Sequence, residues 1–173
     1  MTNKNYRAFI CGIKGKKLSN REKEFLIKYK PWGIILFSRN IKTISQTKNL
    51  TRSIKNLFKN DNYPILIDEE GGRVSRLKSF IDNSIFTAKF FGDLYKNNQK
   101  KFLLYFNVYI KQISHLLKTL GININTVPVL DIRRNDSHQI ISDRSYSSNK
   151  NIVKKIGNLC INNFYKNNIG TVI

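Results

Sequence analysis

Residues 33–40, G-I-I-L-F-S-R-N, indicate the fold class of this 173-residue chain. The apolar run has no polar alternation, which is typical of a parallel strand covered on both faces. Residues 65–73, I-L-I-D-E-E-G-G-R, repeat the pattern, because a short apolar strand runs directly into charged residues. Strands of this kind predict an α/β protein whose functional side chains collect at the carboxyl ends of the strands.

Helical and extended patterns alternate on both sides of these stretches. Ser19 and Glu22 have capping-box spacing before an apolar helical face. The longest helical stripe covers residues 100–120, with Gly121 placed to end it. Residues 81–94 are predicted as loop with at most a short helix. The predicted strands cover residues 7–13, 33–37, 65–67, 124–130 and 170–173.

Strands that alternate with helices imply parallel pairing through right-handed crossovers. An open doubly wound sheet and a (β/α)₈ barrel both fit this order. A glycine-rich phosphate turn is expected after the first strand of the open sheet, but Gly12 and Gly15 lack the third glycine of G-x-G-x-x-G. A barrel usually needs about 250 residues. This chain would supply about four βα units and a fifth strand, which makes an incomplete TIM-type barrel.

The chain is strongly basic, with 31 lysine and arginine residues against 11 aspartate and glutamate residues. Such a charge attracts phosphates. The lysines occur singly or in pairs, however, so we predict no specific nucleic-acid binding and keep weak adhesion to polyanions as an alternative. The polar amino terminus has no signal core, and no stretch approaches the roughly 18 apolar residues of a membrane span. We therefore expect a cytoplasmic protein.

Polar residues at the predicted strand ends are candidates for a ligand site. Carboxylates accept hydrogen bonds from sugar hydroxyls and guanidinium groups donate them in pairs, so the set suits a polyhydroxylated ligand. Asp68 and Glu70 are two residues apart and would share one side of an extended strand. That spacing is compatible with the two carboxyls of a retaining glycosidase, about 5 to 5.5 Å apart. It is equally compatible with ion pairs to Arg73 and Arg76.

Other strand-end residues leave alternatives open. Arg39 is either part of a structural ion pair or a functional group, and His138 lies in a loop from which it could approach a site. Asp131 and Asp143 belong to the region after the fourth predicted strand, whereas His115 lies inside the long helix, where a surface or packing role is expected. The sequence has no H-E-x-x-H, no Cys/His cluster and no G-x-S-x-G elbow, so we predict neither a metal nor a cofactor.

Four stretches make this sequence similar to glycoside hydrolase family three. It most resembles the cytoplasmic bacterial β-N-acetylglucosaminidases that trim peptidoglycan fragments during cell-wall recycling. The stretches are G-I-I-L-F-S-R-N at 33–40, I-D-E-E-G-G-R-V-S-R-L at 67–77, V-P-V-L-D-I at 127–132 and I-S-D-R-S-Y at 141–146. The resemblance covers essentially the whole chain. It implies a (β/α)₈ barrel and a retaining mechanism through a glycosyl-enzyme intermediate.

The resemblance also implies roles for three residues. Asp68 would grip hydroxyls of the N-acetylglucosamine ring, and Arg76 and Arg144 would complete the substrate pocket. In the family none of the three is the nucleophile or the acid/base. The resemblance therefore disfavours the interpretation of Asp68 and Glu70 as a catalytic pair. In such enzymes a Lys-His-x-Pro-Gly-His-Gly segment follows the fifth strand, where this sequence stops at Ile173.

We therefore expect residues 1–173 to be the amino-terminal part of the catalytic domain, truncated before the catalytic loop. No catalytic residue is expected in this chain, which would be inactive alone, and the substrate is an N-acetylglucosamine-containing muropeptide or saccharide. A family-three β-glucosidase fragment and a non-catalytic sugar-binding or interaction remnant are the alternatives. A part-barrel leaves strand edges unpaired, so self-association and marginal stability are expected as well.

Overall fold

Five parallel strands form one sheet in the computed structural model, which describes residues 6–133 and 141–173. The strands lie side by side in chain order, each paired in parallel with the next. They are β1 (Arg7–Gly12), β2 (Pro31–Leu36), β3 (Ile65–Ile67), β4 (Ile124–Asn125) and β5 (Gly170–Thr171). A doubly wound sheet reverses its strand order at a switch point, whereas a TIM-type barrel does not. The predicted parallel barrel-type order is thus confirmed, and β1 and β5 are the edges of the described sheet.

Helices connect the strands as the alternating pattern predicts. They are α1 (Asn20–Tyr29), α2 (Ile44–Phe58), α3 (Ala88–Asn97), α4 (Gln99–Leu120) and α5 (Lys150–Lys166), with 3₁₀ turns at Ser38–Asn40 and Ser142–Arg144. The predicted capping box of α1 is confirmed, because the Ser19 hydroxyl accepts from the Glu22 amide and the Glu22 carboxylate accepts from the Ser19 amide. Gly121 ends α4 with φ 77°. Within the described residues, no helix has both the length and the apolar composition to cross a membrane.

The core lies between the sheet and the inner faces of the helices. Ile34 and Leu36 of β2 and Ile65 and Ile67 of β3 are completely buried, as predicted for central parallel strands. The predicted stripe of α4 supplies the facing layer, with Phe102, Phe106, Ile110, Ile113, Leu117 and Leu120 all buried. The β3 strand is therefore enclosed by apolar side chains, and the polar residues that follow it begin at a buried position.

The predicted strand at residues 124–130 is wrong beyond its second residue. The amide of Val127 donates to the carbonyl oxygen of Asn125, which turns the backbone away from the ladder, and Pro128 has no amide hydrogen with which to continue it. Asp131 consequently does not stand at a strand end. Its side chain is exposed, and its carbonyl oxygen accepts a hydrogen bond from the Ser145 hydroxyl.

Residues 81–94 contain more helix than the sequence predicts, because α3 begins at Ala88. The Thr87 hydroxyl caps this helix by accepting from the amide of Phe90. Phe91 is 2% exposed and packs edge-on against Phe106 of α4. Tertiary packing of aromatic rings therefore stabilises a helix whose apolar period is too short to be clear in the sequence.

Candidate functional site

Asp68 follows β3 directly and is held between two side chains. Its Oδ1 accepts a hydrogen bond of 2.6 Å from the Thr126 hydroxyl, and its Oδ2 lies 3.1 Å from Nη2 of Arg76. The side chains of Asp68 and Arg76 are 24% and 25% exposed. The structure thus brings two of the predicted site residues together in a fixed geometry, and both keep surface with which to reach a ligand.

Arg144 is fixed by Glu70 at the same end of the sheet. Its Nε and Nη2 donate to the two carboxylate oxygens of Glu70, each over 2.8 Å, in the fork geometry that guanidinium groups favour. This hydrogen bonding raises the pKa of Arg144, against an opposing effect of desolvation, and the negative charges of Asp131 and Asp68 raise it further. All three predicted site residues therefore belong to one electrostatic cluster.

The two carboxylates proposed as an alternative catalytic pair have separate partners. Asp68 pairs with Arg76 and Glu70 pairs with Arg144, while Arg73 pairs with Asp143 at 2.9 Å. This arrangement agrees with the ion-pair interpretation of the acidic stretch. It gives no support to Asp68 and Glu70 as acid and nucleophile, because each is engaged by an arginine.

Glu69 is the buried centre of the loop that carries Arg76. Its side chain is 2% exposed, and one carboxylate oxygen accepts from the amides of Arg76 and Leu77 and from the Ser75 hydroxyl. The other oxygen accepts from the side-chain amide of Asn83. Desolvation raises the pKa of Glu69, although these hydrogen bonds oppose the effect. Sequence reasoning weighed Asp68 and Glu70 on either side of this residue but missed the role of Glu69 in shaping the loop.

Asn125 of β4 fixes the backbone between Asp68 and Glu70. Its Oδ1 accepts from the Glu69 amide and its Nδ2 donates to the Glu69 carbonyl oxygen, both over 2.9 Å. The side chain thereby continues the pairing of β3 and β4 by one further step. Sequence reasoning missed this residue too, and the signal was an asparagine inside a strand, where asparagine is disfavoured unless its amide has a specific partner.

The two glycines after Glu70 turn the chain sharply. Gly71 and Gly72 have φ values of 89° and 60°, in the left-handed region that other residues resist. A Cβ on Gly71 would also clash with the carbonyl oxygen of Phe86 and approach the hydroxyl of Tyr109. The turn therefore needs glycine both for its backbone conformation and for the space that it leaves.

Arg39 lies beside this cluster, on the 3₁₀ turn after β2. Its Nε donates to the carbonyl oxygen of Ile13, and its guanidinium lies 4.5 Å from the centre of the Phe37 ring. The guanidinium of Arg76 lies 5.8 Å from the same ring. Phe37 thus connects Arg39 to the site. Within residues 6–133 and 141–173, Arg39 contacts a backbone carbonyl and an aromatic ring and forms no ion pair of the kind considered from the sequence.

The structure describes one of the two histidines. His115 is exposed on α4, which agrees with the surface alternative of its expected surface or packing role. His138 lies outside the described residues, so its approach to the site stays a prediction.

Comparison with known proteins gives one family. The profile of the glycosyl hydrolase family 3 N terminal domain matches residues 6–173. A β-hexosaminidase of Hydrogenovibrio crunogenus is 32% identical over 152 residues, which make up 86% of this chain and 41% of that protein. The chain thus spans less than half the length of this relative.

Solved structures agree with the sequence relatives. Native NagZ from Neisseria gonorrhoeae superposes with a TM-score of 0.82 and 26% identity, over 96% of this chain and 48% of that chain. NagZ from the same organism in complex with N-trifluoroacetyl-D-glucosamine superposes with a TM-score of 0.80. The match over 6–173 and the shared fold confirm the resemblance drawn from the four stretches. This chain belongs to glycosyl hydrolase family 3.

Proposed function

We propose that residues 1–173 form the amino-terminal part of the catalytic domain of a retaining β-N-acetylhexosaminidase, and that Asp68, Arg76 and Arg144 bind the terminal N-acetylglucosamine of its substrate. One observation carries the proposal. Three side chains that motif position alone assigns to a sugar pocket lie in a single ion-paired cluster at the carboxyl end of a parallel sheet, and all three are partly exposed.

The chemistry of the cluster suits a sugar ring. Asp68 presents a carboxylate that can accept hydrogen bonds from hydroxyl groups, while Arg76 and Arg144 present forked donors. Glu69 and Glu70 hold the two arginine segments before any ligand arrives. Such preorganisation reduces the ordering cost of binding and keeps the ring in one orientation.

In the proposed reaction, the enzyme cleaves a terminal β-linked N-acetylglucosamine and retains the anomeric configuration. The carboxylates of the described cluster serve binding and positioning, so we assign the nucleophile and the acid/base to no described residue. The 173-residue chain alone should then bind the sugar without turning it over. The resemblance of the four stretches also favours peptidoglycan fragments as the substrate and the cytoplasm as the location.

We further propose that this chain, when isolated, self-associates through its sheet edges. Ile10 on β1 is 43% exposed, and Val172 and Ile173 beside β5 are 41% and 78% exposed. Edge strands present free amide and carbonyl groups to any strand that can pair with them. Sedimentation at increasing protein concentration should show a rising average mass, whereas a single monomeric species at all concentrations would contradict self-association.

Isothermal titration with N-acetylglucosamine tests the sugar site. We expect measurable binding by the wild-type chain, and about a tenfold or greater loss for Asp68→Asn, because hydrogen bonds to a charged group contribute about 1.5–3 kcal/mol. Arg144→Lys should also weaken binding, since an ammonium group cannot reproduce the fork. Asp82→Asn, in an exposed position, is the matched control and should bind normally.

The same titration separates the alternatives. Equal affinity for glucose would favour the β-glucosidase interpretation, in which the acetamido group is not recognised. A folded wild-type chain that binds no N-acetylglucosamine would contradict the proposed site. Hydrolysis of a chromogenic N-acetylglucosaminide by the 173-residue chain would contradict the proposal that it is inactive alone.

A further inference from the structure

Three neighbouring helices carry a large positive charge with no acidic residue among them. Basic side chains number three on α2, four on α4 and four on α5, and none of the three helices contains aspartate or glutamate. The Thr51 hydroxyl of α2 donates to the Leu120 carbonyl oxygen of α4, and the Asn163 amide of α5 donates to Asn107 of α4. Cations that are dispersed in the sequence are therefore assembled on one continuous outer face.

The middle helix of this face also exposes apolar side chains. Leu104 and Val108 are 60% and 49% exposed and lie one turn apart on the solvent side of α4. Leu103 and Tyr105 flank them at 45% and 47% exposure. We call these four residues the α4 apolar patch.

Lysines surround the α4 apolar patch along the helix axis. Lys100 and Lys101 precede Leu104 by four and three positions, and Lys111 follows Val108 by three, so all three project from the same side of the helix. All three lysines are exposed. Apolar side chains flanked by lysines, on a helix that carries no acidic residue, complement a surface that is negative at its outside and apolar beneath.

The α4 apolar patch differs from the exposed residues beside the sheet edges. Helix α4 lies between β3 and β4, in the middle of the sheet, so strands added beyond β1 or β5 would leave its outer face uncovered. Phe25 and Ile27 on α1 are exposed to a similar extent, at 44% and 54%, but α1 carries Glu22 and Glu24 and adjoins the edge strand β1. Completion of the sheet therefore accounts for exposure on α1 and does not account for exposure on α4.

We propose that the outer face of α2, α4 and α5 docks on an anionic lipid bilayer, with the α4 apolar patch inserted at the boundary between headgroups and acyl chains. A helix of 22 residues is about 33 Å long and can lie flat in the bilayer interface. The lysines would bind the headgroup charges, as basic residues do beside anionic leaflets. Single-stranded nucleic acid, the other polyanion, is bound through grooves lined with stacking aromatic rings, whereas three of the four residues of the α4 apolar patch are aliphatic and Tyr105 is its one aromatic member.

Vesicle sedimentation tests the proposal with the 173-residue chain. We expect binding to vesicles of phosphatidylglycerol and phosphatidylcholine and little binding to pure phosphatidylcholine. Leu104→Ser combined with Val108→Ser should lower the partition constant by about tenfold, through loss of buried apolar surface. Lys101→Glu combined with Lys111→Glu should lower it by about tenfold or more, since the negative surface of an anionic leaflet attracts lysine and repels glutamate.

Two control variants match these changes elsewhere on the surface. Phe25→Ser with Ile27→Ser removes a comparable exposed apolar pair from α1, and Lys16→Glu with Lys17→Glu changes the net charge by the same amount. Both controls should retain most of the binding, and circular dichroism should show native helix content in all four variants. Equal losses in test and control pairs would overturn the proposal, because binding would then follow net charge or general hydrophobicity.

A fluorescence measurement reports insertion independently of affinity. In a Trp32→Phe background, the indole of Leu104→Trp should shift its emission to shorter wavelength on addition of the anionic vesicles, and the indole of Phe25→Trp should not. Absence of this shift would overturn the proposal. A second result would also overturn the proposal. In it, the chain would bind a single-stranded oligonucleotide more tightly than the vesicles, and this binding would be weakened by the two lysine-to-glutamate changes and unaffected by the two serine changes.

Discussion

The carboxyl end of β3 and the outer face of α2, α4 and α5 differ in whether their cations have acidic partners. At β3, each arginine of the site has a carboxylate partner within 3.1 Å, and the buried Glu69 is surrounded by donors. On the outer face the cations have no acidic residue on their own helices. The net charge of +20 is therefore uneven in space. Ion pairs define the shape of the site, and the excess of cations over anions leaves the outer face available to an anionic partner.

The largest effect on stability that this contrast predicts is that of replacing Glu69. Glu69→Ala removes the acceptor for two amides, one hydroxyl and one side-chain amide in the interior, so the donors are left buried without partners. We expect a loss of about 3–5 kcal/mol in the free energy of unfolding, measured by urea denaturation, because each buried donor left without a partner costs about 1–3 kcal/mol and part of this is recovered by relaxation. Glu24→Ala on the surface of α1 should change it by less than about 0.5 kcal/mol. Equal effects at the two positions would contradict the role of Glu69.

Gly71→Ala should destabilise the site turn by an intermediate amount. The φ of 89° is costly for alanine, and its methyl group would clash with the Phe86 carbonyl oxygen. We expect a cost of about 1–3 kcal/mol, read from the urea midpoint. Gly15→Ala, where a Cβ would meet nothing within 4 Å, is the matched control and should leave the midpoint nearly unchanged.

Removing the charge of Glu70 should affect sugar binding more than stability. Glu70→Gln leaves Arg144 with one acceptor in place of two charged oxygens, so the guanidinium loses its fixed orientation. We expect an affinity for N-acetylglucosamine lower by about tenfold, which corresponds to about 1.4 kcal/mol. Unchanged affinity with native helix content would show that Arg144 does not need Glu70.

The stability of the chain should also depend on pH through Glu69. Burial raises the pKa of Glu69 above its unfolded value of about 4.3, so the folded state binds the proton more tightly. This group therefore contributes most stability below that value, and the contribution is lost as the pH rises from there through the raised pKa. Glu69→Gln abolishes the titration. The free energy of unfolding of the wild type minus that of Glu69→Gln should decrease as the pH rises across that window. An increase would contradict the raised pKa of Glu69.

Substitutions of the lysines on the outer face should have the smallest effect on stability. Lys111→Glu on α4 should change the free energy of unfolding by less than about 0.5 kcal/mol, because Lys111 is exposed and no acidic residue lies on its helix. Thermal unfolding of the wild type and this variant gives the comparison directly. A loss of several kcal/mol would mean that the cations of this face are structural.

The parts of the fold that depend on local pattern were predictable from the sequence. The apolar runs of β2 and β3, the capping box of α1 and the stripe of α4 are all where their residues predict them. The end of strand β4 and the extent of helix α3 were not, because neither the hydrogen bond from Val127 to Asn125 nor the packing of Phe91 on α4 gives a periodic signal.

The candidate site likewise has a part that local sequence motifs indicate and a part that depends on tertiary contacts. Motif position selected Asp68, Arg76 and Arg144, which the structure brings together at one end of the sheet, and their binding of a sugar stays a proposal. The residues that hold this set, Glu69 and Asn125, act through long-range hydrogen bonds, which a single sequence does not reveal. The basic outer face was also hidden, since its lysines are dispersed along the chain and meet only when the three helices pack side by side.

A crystal structure of this chain with N-acetylglucosamine would test the central claim most directly. The account predicts one sugar ring at the carboxyl end of β3, with its hydroxyl groups within about 3.2 Å of the Asp68 carboxylate and of the guanidinium groups of Arg76 and Arg144. A ring bound anywhere else, with these three side chains still paired among themselves and free of ligand, would contradict it.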